Sequence, residues 1–239
     1  MFKHYCLLCD ARATDRDLCD PCRADLPWLG PACARCARPL RHPTRGAWCG
    51  RCLRRPPLQA ATRAALRYEF PVDQLLQKLK FGHALPPGRV LGELLAESIR
   101  GAPGWSRRKG AAPTTSGPGI RVDVLVPVPL HAKRLRERGF NQAVEIARPV
   151  GRALGLPVLT RACRRTRDTP PQSTLDARER RRNPKGAFTA DAAVAGLRVA
   201  VIDDVYTSGS TVAAVTHALL HAGAARVEAW CVARAGVKT

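Results

Sequence analysis

An apolar run at 197–202 ends on two adjacent carboxylates, Asp203 and Asp204. The chain then reads Val205, Tyr206, Thr207, Ser208, Gly209, Ser210, Thr211 before a second apolar stretch with helical spacing. The first run has the length and composition of a buried strand. A buried strand that passes through a short Gly/Ser/Thr turn into a helix is the start of a β-α unit, so this stretch predicts an α/β protein with a parallel sheet. It also predicts a ligand. The first turn of a helix exposes N–H groups and carries partial positive charge, which stabilises a phosphate. Gly209 lets the backbone approach closely. Two carboxylates beside that turn can accept hydrogen bonds from vicinal sugar hydroxyls. The simpler reading, a strand-to-helix turn with a Ser or Thr cap, leaves two acids at the end of a buried strand unexplained.

Other segments repeat the alternation. Strands are expected at 61–68, 122–128, 156–161 and 226–232. Val72, Leu75, Leu76 and Leu79 mark a helix over 72–81, in which Lys78 and Lys80 read as solvated positions. Val90, Leu91, Leu94, Leu95 and Ile99 mark another, and Asn141 is a credible N-cap for a helix over 142–154. In a parallel sheet, ligands bind at the carboxyl ends of the strands. The loops 128–141 and 203–211 both emerge there. The first is a basic loop carrying Lys133, Arg134 and Arg138, with His131 as a lone candidate base. A third loop, 161–185, holds nine basic residues against three acids, including Arg164, Arg165 and Arg180. That composition suits a lid over an anion. Residues 101–120, with five glycines, three prolines and the triplet Arg107, Arg108, Lys109, read as an inserted surface loop.

Eight of the ten cysteines lie in the first 52 residues, as four Cys-x-x-Cys knuckles. These are Cys6/Cys9, Cys19/Cys22, Cys33/Cys36 and Cys49/Cys52. Two such knuckles complete a tetrahedral thiolate site, and zinc suits that donor set; an iron–sulfur cluster is the alternative. Sequential pairing of the knuckles closes short local loops and is favoured over a cross-braced arrangement. The segment has few apolar residues and needs its metals to fold. It serves as a structural or partner-docking module, or presents its arginines to nucleic acid. Pro56-Pro57 marks its end, giving expected domains at 1–56 and 57–239. Cys231 reads as core, and Cys163 suggests no role.

The net charge of +21 points to polyanionic partners, and all but seven of the 40 basic residues are arginine. No stretch reaches the ~20 apolar residues of a membrane span, and the start of the chain lacks a signal peptide's apolar run. Both predict a cytoplasmic protein.

The stretch 199–211 closely resembles the phosphoribosyl-pyrophosphate (PRPP) motif of type I phosphoribosyltransferases. That resemblance implies that Asp203 and Asp204 face the ribose 2′- and 3′-hydroxyls and that 207–211 wraps the 5′-phosphate, with Mg²⁺ accompanying PRPP. The chain as a whole resembles the ComF family of double-zinc-ribbon phosphoribosyltransferase-domain proteins. The resemblance rests on the order of the knuckles, Pro127-Val128-Pro129-Leu130, Arg134-x-x-x-Arg138-Gly-Phe-Asn-Gln142, then Arg164, Arg165, Gln172, Leu175 and Arg180, and the PRPP motif. It implies a type I phosphoribosyltransferase-like sheet behind two structural zinc sites, and a pyrophosphate held by the basic loops. It further implies a link to incoming single-stranded DNA with a helicase partner. Three functions are compatible: a phosphoribosyltransferase of unread acceptor, a non-catalytic PRPP-binding module in a DNA-handling protein, and a docking scaffold.

Overall fold

The computed structural model describes residues 4–13, 16–41, 47–82, 85–102, 121–167 and 186–236. Most of the 101–120 insertion and of the expected lid, with Gln172 and Arg180, lies outside the described residues.

The chain begins with β1 (His4–Tyr5) and β2 (Arg12–Ala13), an antiparallel pair. Two five-residue helices follow, α1 (Asp20–Ala24) and α2 (Gly50–Arg54), each starting directly after a cysteine of a knuckle. Next come β3 (Ala61–Arg67), α3 (Val72–Phe81) and α4 (Pro86–Arg100). After the insertion the order is β4 (Val124–Pro127), α5 (Ala132–Arg138), α6 (Gln142–Leu154), β5 (Cys163–Arg165) and β6 (Phe188–Ala190). The chain closes with β7 (Arg198–Tyr206), α7 (Ser210–His221) and β8 (Arg226–Arg234). Four strands form a parallel sheet in the order β3, β8, β7, β4.

Each face of the sheet is covered by helices. On one face Leu75, Leu79, Leu91, Leu95, Ile146 and Val150 of α3, α4 and α6 pack on Leu125, Ile202 and Trp230. On the other, Val215 and Leu219 of α7 and Phe188 of β6 pack on Val126 and Val201. The α4–α6 crossing is close: a Cβ on Gly92 would lie 2.4 Å from Pro149 Cγ, so only glycine fits. α6 has the expected limits because its caps are local. Asn141 Oδ1 accepts from the Ala143 amide at 2.9 Å, and Gly155 ends the helix at φ 66°.

The expected strands shift where local chemistry intervenes. The run at 197–202 does not stop at the acids; β7 continues to Tyr206, pairing Val205 and Tyr206 with Ala233 and Arg234. The segment 156–161 contributes one parallel bridge, Val158 to Leu125. The Leu156 amide is taken by Gly151 O and Pro157 has no N–H, so little remains to pair. The basic loop 128–141 contains a helix. Its residues 132–138 are mostly good helix formers, the His131 ring accepts from the Lys133 amide, and Gly139 at φ 79° ends α5. β5, at the start of the expected lid 161–185, and β6, just after its end, pair as an antiparallel ribbon.

The first cysteine module is built into the main core. Cys6, Leu18 and Leu26 are buried in the same cluster as Leu75 and Leu91. Polar contacts reinforce this: Asp17 accepts from His4 at 2.7 Å and pairs with Arg89 of α4, and Arg23 pairs with Glu97. Burial alone would raise the Asp17 carboxyl; His4 and Arg89 hold it below its ordinary value.

Candidate functional site

Asp203 and Asp204 stand on β7, an interior strand, close to its carboxyl end. Both are buried, at 8% and 6% exposure. The Asp204 amide donates to Asp203 Oδ1 at 3.0 Å. Lys80 Nζ, from the last turn of α3, pairs with Asp204 Oδ2. The two acids therefore divide in character. Burial and the neighbouring Asp204 charge push Asp203 well above the usual carboxylate range. Burial acts on Asp204 in the same direction, but the Lys80 ammonium outweighs it and keeps Asp204 low and ionised. The Asp204 carboxylate is thus matched by the Lys80 ammonium, and Asp203 beside it is the acid that resists ionisation. Lys80 was expected to be solvated; its side chain is only 24% exposed.

Beyond the acids, Thr207, Ser208 and Gly209 turn the chain into α7. Gly209 takes φ 81° at the N-cap, where no side chain caps the helix. The Ser208 and Ser210 hydroxyls are 2.9 Å apart. The turn is braced from behind by Tyr206, whose hydroxyl lies under Gly209. A Cβ there would be 2.2 Å from it. Gln59 Nε2 donates to the Tyr206 hydroxyl and to Thr62 Oγ1, each at 3.0 Å. Thr62 Oγ1 in turn donates to Arg35 O at 2.8 Å. Arg234 stacks on Tyr206 and donates to Tyr206 O, Thr207 O and Cys36 O. Arg35 and Cys36 belong to the second cysteine module, so two hydrogen-bonded routes join that module to the turn.

Among the described sequence-predicted cations, Arg138 is the one on which the Asp204 charge acts. It donates to Gln142 Oε1 at 2.7 Å and lies over Phe81 with 5.4 Å to the ring centre. Lys133 is exposed on α5, and Arg134 is half-buried one residue further on. Arg164 points to solvent from β5, whereas Arg165 covers the Phe188 ring. Phe188, Ser208, Gly209, Ser210, Arg51 and Arg55 are among the residues around a cleft of about 690 Å³ that has no carboxylate among the described residues of its lining. His131 is occupied in capping α5, and Cys163 and Cys231 are buried.

The eight knuckle cysteines form two sites, Cys6/Cys9/Cys19/Cys22 and Cys33/Cys36/Cys49/Cys52. The pairing is sequential. Within each site all four sulfurs lie within 4.8 Å of one another, and Cys9–Cys19 and Cys36–Cys49 are 3.7 and 3.6 Å apart. Four sulfurs at ~2.3 Å from a tetrahedral ion would be about 3.8 Å apart, so the donor sets fit zinc. The spacing is far beyond a disulfide, and among the described residues no cysteine is in one.

Residues 1–53 match the family described as double zinc ribbon domain, and residues 135–239 match phosphoribosyl transferase domain. The chain is 35% identical over 217 residues to DNA utilization protein YhgH of Salmonella typhi, covering 91% of this chain and 90% of that protein. The Escherichia coli K12 protein of the same name is 37% identical over 203 residues, covering 84% and 83%. Competence protein F of Haemophilus influenzae is 29% identical over 239 residues, covering 98% of each. The chain belongs to the ComF family. Within this ComF-family chain neither domain match reaches residues 54–134, yet Gln59, Thr62, Lys80 and Phe81 come from there. Sequence reasoning missed them. For Lys80 a signal existed: it stands four residues after buried Leu76, and it is a lysine in a chain that uses arginine almost everywhere.

Proposed function

We propose that this protein binds PRPP with Mg²⁺ at the carboxyl end of β7. Asp203 and Asp204 would hold the ribose hydroxyls, Val205 and Tyr206 would form the floor, and Thr207, Ser208, Gly209, Ser210 and Thr211 would enclose the 5′-phosphate at the start of α7. The observation that carries this reading is the buried acid pair set directly beside a left-handed glycine turn at a helix N-terminus. Arg138, Lys133 and Arg134, with Arg164, Arg165, Gln172 and Arg180 from the lid, are the candidates for the pyrophosphate. Mg²⁺ would supply charge neutralisation of that pyrophosphate. Such a site can support phosphoribosyl transfer, in which the C1′–O bond to pyrophosphate breaks and an acceptor's nucleophile bonds to C1′. The protein's part is placement and charge stabilisation. Two four-cysteine donor sets that fit zinc, with no disulfide among the described residues, suit a reducing, cytoplasmic setting. Among the described residues no helix is long and apolar enough to cross a membrane.

The test is thermal. PRPP with Mg²⁺ should raise the melting temperature of wild type by several degrees, as about 2.7 kcal/mol of linkage at one hundred times Kd requires. The double variant Asp203→Asn/Asp204→Asn should show no shift. An unshifted wild type would dismiss the PRPP reading.

A second reading concerns DNA, supported by the net charge of +21 and by relatives named for DNA utilization and competence. The basic ribbons and loops would follow a single strand's phosphates, alone or with a helicase partner. Single-stranded DNA should bind at 50 mM salt and lose at least tenfold in affinity by 200 mM. No binding at low salt would remove this role.

A further inference from the structure

The ion pair between Lys80 and Asp204 joins a helix outside both domain matches to the center of the acid pair. The Lys80 side chain is largely buried, and it enters from α3 on the side where Arg138 of α5 also senses Asp204. Phe81, the next residue, lies under the Arg138 guanidinium. Lys80 contacts the carboxylate, and Arg138 stands next to it over the Phe81 ring.

A sugar diol that hydrogen-bonds to Asp204 competes with Lys80 for the same carboxylate oxygen. The displaced ammonium cannot remain unpaired in a buried place. In PRPP the pyrophosphate leaves from C1′, one carbon away from the 2′-hydroxyl, so an anionic oxygen arrives within reach of the lysine's flexible four-carbon stem. A compact ammonium on such a stem can exchange partners by rotation, which a planar bidentate guanidinium does less readily. That accounts for a lysine here in an arginine-rich chain. We propose that Lys80 is a pyrophosphate-binding residue that is held on Asp204 until the ligand's ribose takes its place. The proposal rests on the PRPP reading above. It makes the α3 helix, absent from the matched phosphoribosyl transferase segment, part of the ligand site.

The experiment compares wild type with Lys80→Met by calorimetry, in Mg²⁺, using PRPP, inorganic pyrophosphate and ribose 5-phosphate as separate probes. Lys80→Met should weaken PRPP at least tenfold, whereas inorganic pyrophosphate, which brings no ribose to free the lysine from Asp204, and ribose 5-phosphate, which brings no pyrophosphate, should each weaken by no more than twofold. Equal weakening of PRPP and ribose 5-phosphate would reduce Lys80 to a counter-ion of Asp204 and overturn the proposal. Unchanged binding of all three probes by Lys80→Met would overturn it too, with the PRPP reading intact. A wild type that binds none of the three would sink the PRPP reading and this inference together. Circular dichroism checks the fold, and Lys80→Gln replaces Lys80→Met if the latter is unfolded.

Discussion

Cys52→Ser is expected to loosen the 206–211 turn and to weaken PRPP at least tenfold, although Cys52 is a ligand-set residue of the second cysteine site. The site lies in one apolar cluster with Tyr206, Val212, Ala229 and Cys231, so its four thiols pack against the base of the turn. Two routes carry the effect. Arg35 O accepts from Thr62, which shares Gln59 with the Tyr206 hydroxyl. Arg234 ties Cys36 O to Thr207 O. A ribbon of this size owes its fold to its metal. Loss of one thiolate frees Arg35 and Cys36, and Tyr206 then loses the two contacts that fix its ring under Gly209. Hydrogen exchange at 206–213 should accelerate in the variant, together with the drop in PRPP affinity. Cys9→Ser is the control. Its site packs against α3 and α4 rather than the turn, so it should lower the melting temperature and leave hydrogen exchange at 206–213 unchanged. Equal PRPP affinity in Cys52→Ser and wild type would show that ribbon and turn are independent.

Gly209→Ala is expected to lower the melting temperature by about 5–10 °C and to remove PRPP binding. Two costs add. A non-glycine residue at φ 81° pays roughly 1–2 kcal/mol in backbone strain. The new Cβ would also lie 2.2 Å from the Tyr206 hydroxyl and 2.6 Å from Cζ, so the buried ring must move. Ring displacement breaks the Gln59 contact and the Arg234 stack, for roughly another 1–2 kcal/mol. In a chain of this size each kcal/mol is worth about 2–4 °C. Gly196→Ala isolates the first cost. Gly196 has φ 72° with nothing within 4 Å of a Cβ, so its variant should shift by about 2–5 °C and keep PRPP affinity. Matching shifts in the two variants would mean that Tyr206 does not brace the turn.

The parts of this protein that sequence reading located are those whose causes are local. Helix α3 and helix α6 have the limits their apolar spacing and caps implied, because caps and periodicity act within a few residues. The cysteine pairing was legible as the favoured of two options, since adjacent knuckles close the shortest loops. The acid pair and the glycine turn stand on one strand, one turn and one helix that are consecutive. Readings failed where a longer-range or competing contact decided the matter. The basic loop at 128–141 hides α5, because a seven-residue helix rich in like charges has too few apolar positions to show a period. The β5–β6 ribbon pairs three residues with three across a long separation, too short a pattern to show. Lys80 looked solvated because its partner, Asp204, lies in a different part of the chain.

By itself, then, the sequence determined the class of fold, the two four-cysteine donor sets and the strand–acid–glycine–helix unit, since each follows from spacing within a short segment. Tertiary structure alone decided how these parts act on one another. Gln59 meets Tyr206 across 147 residues, and Arg234 meets Cys36 across 198. Packing of the sheet against the second ribbon brings those partners together. Burial then sets two adjacent aspartates apart: Asp203 is pushed well above the ordinary carboxylate range while the Lys80 ammonium holds Asp204 below it, because a low-dielectric site with a single ammonium disfavours two like charges side by side.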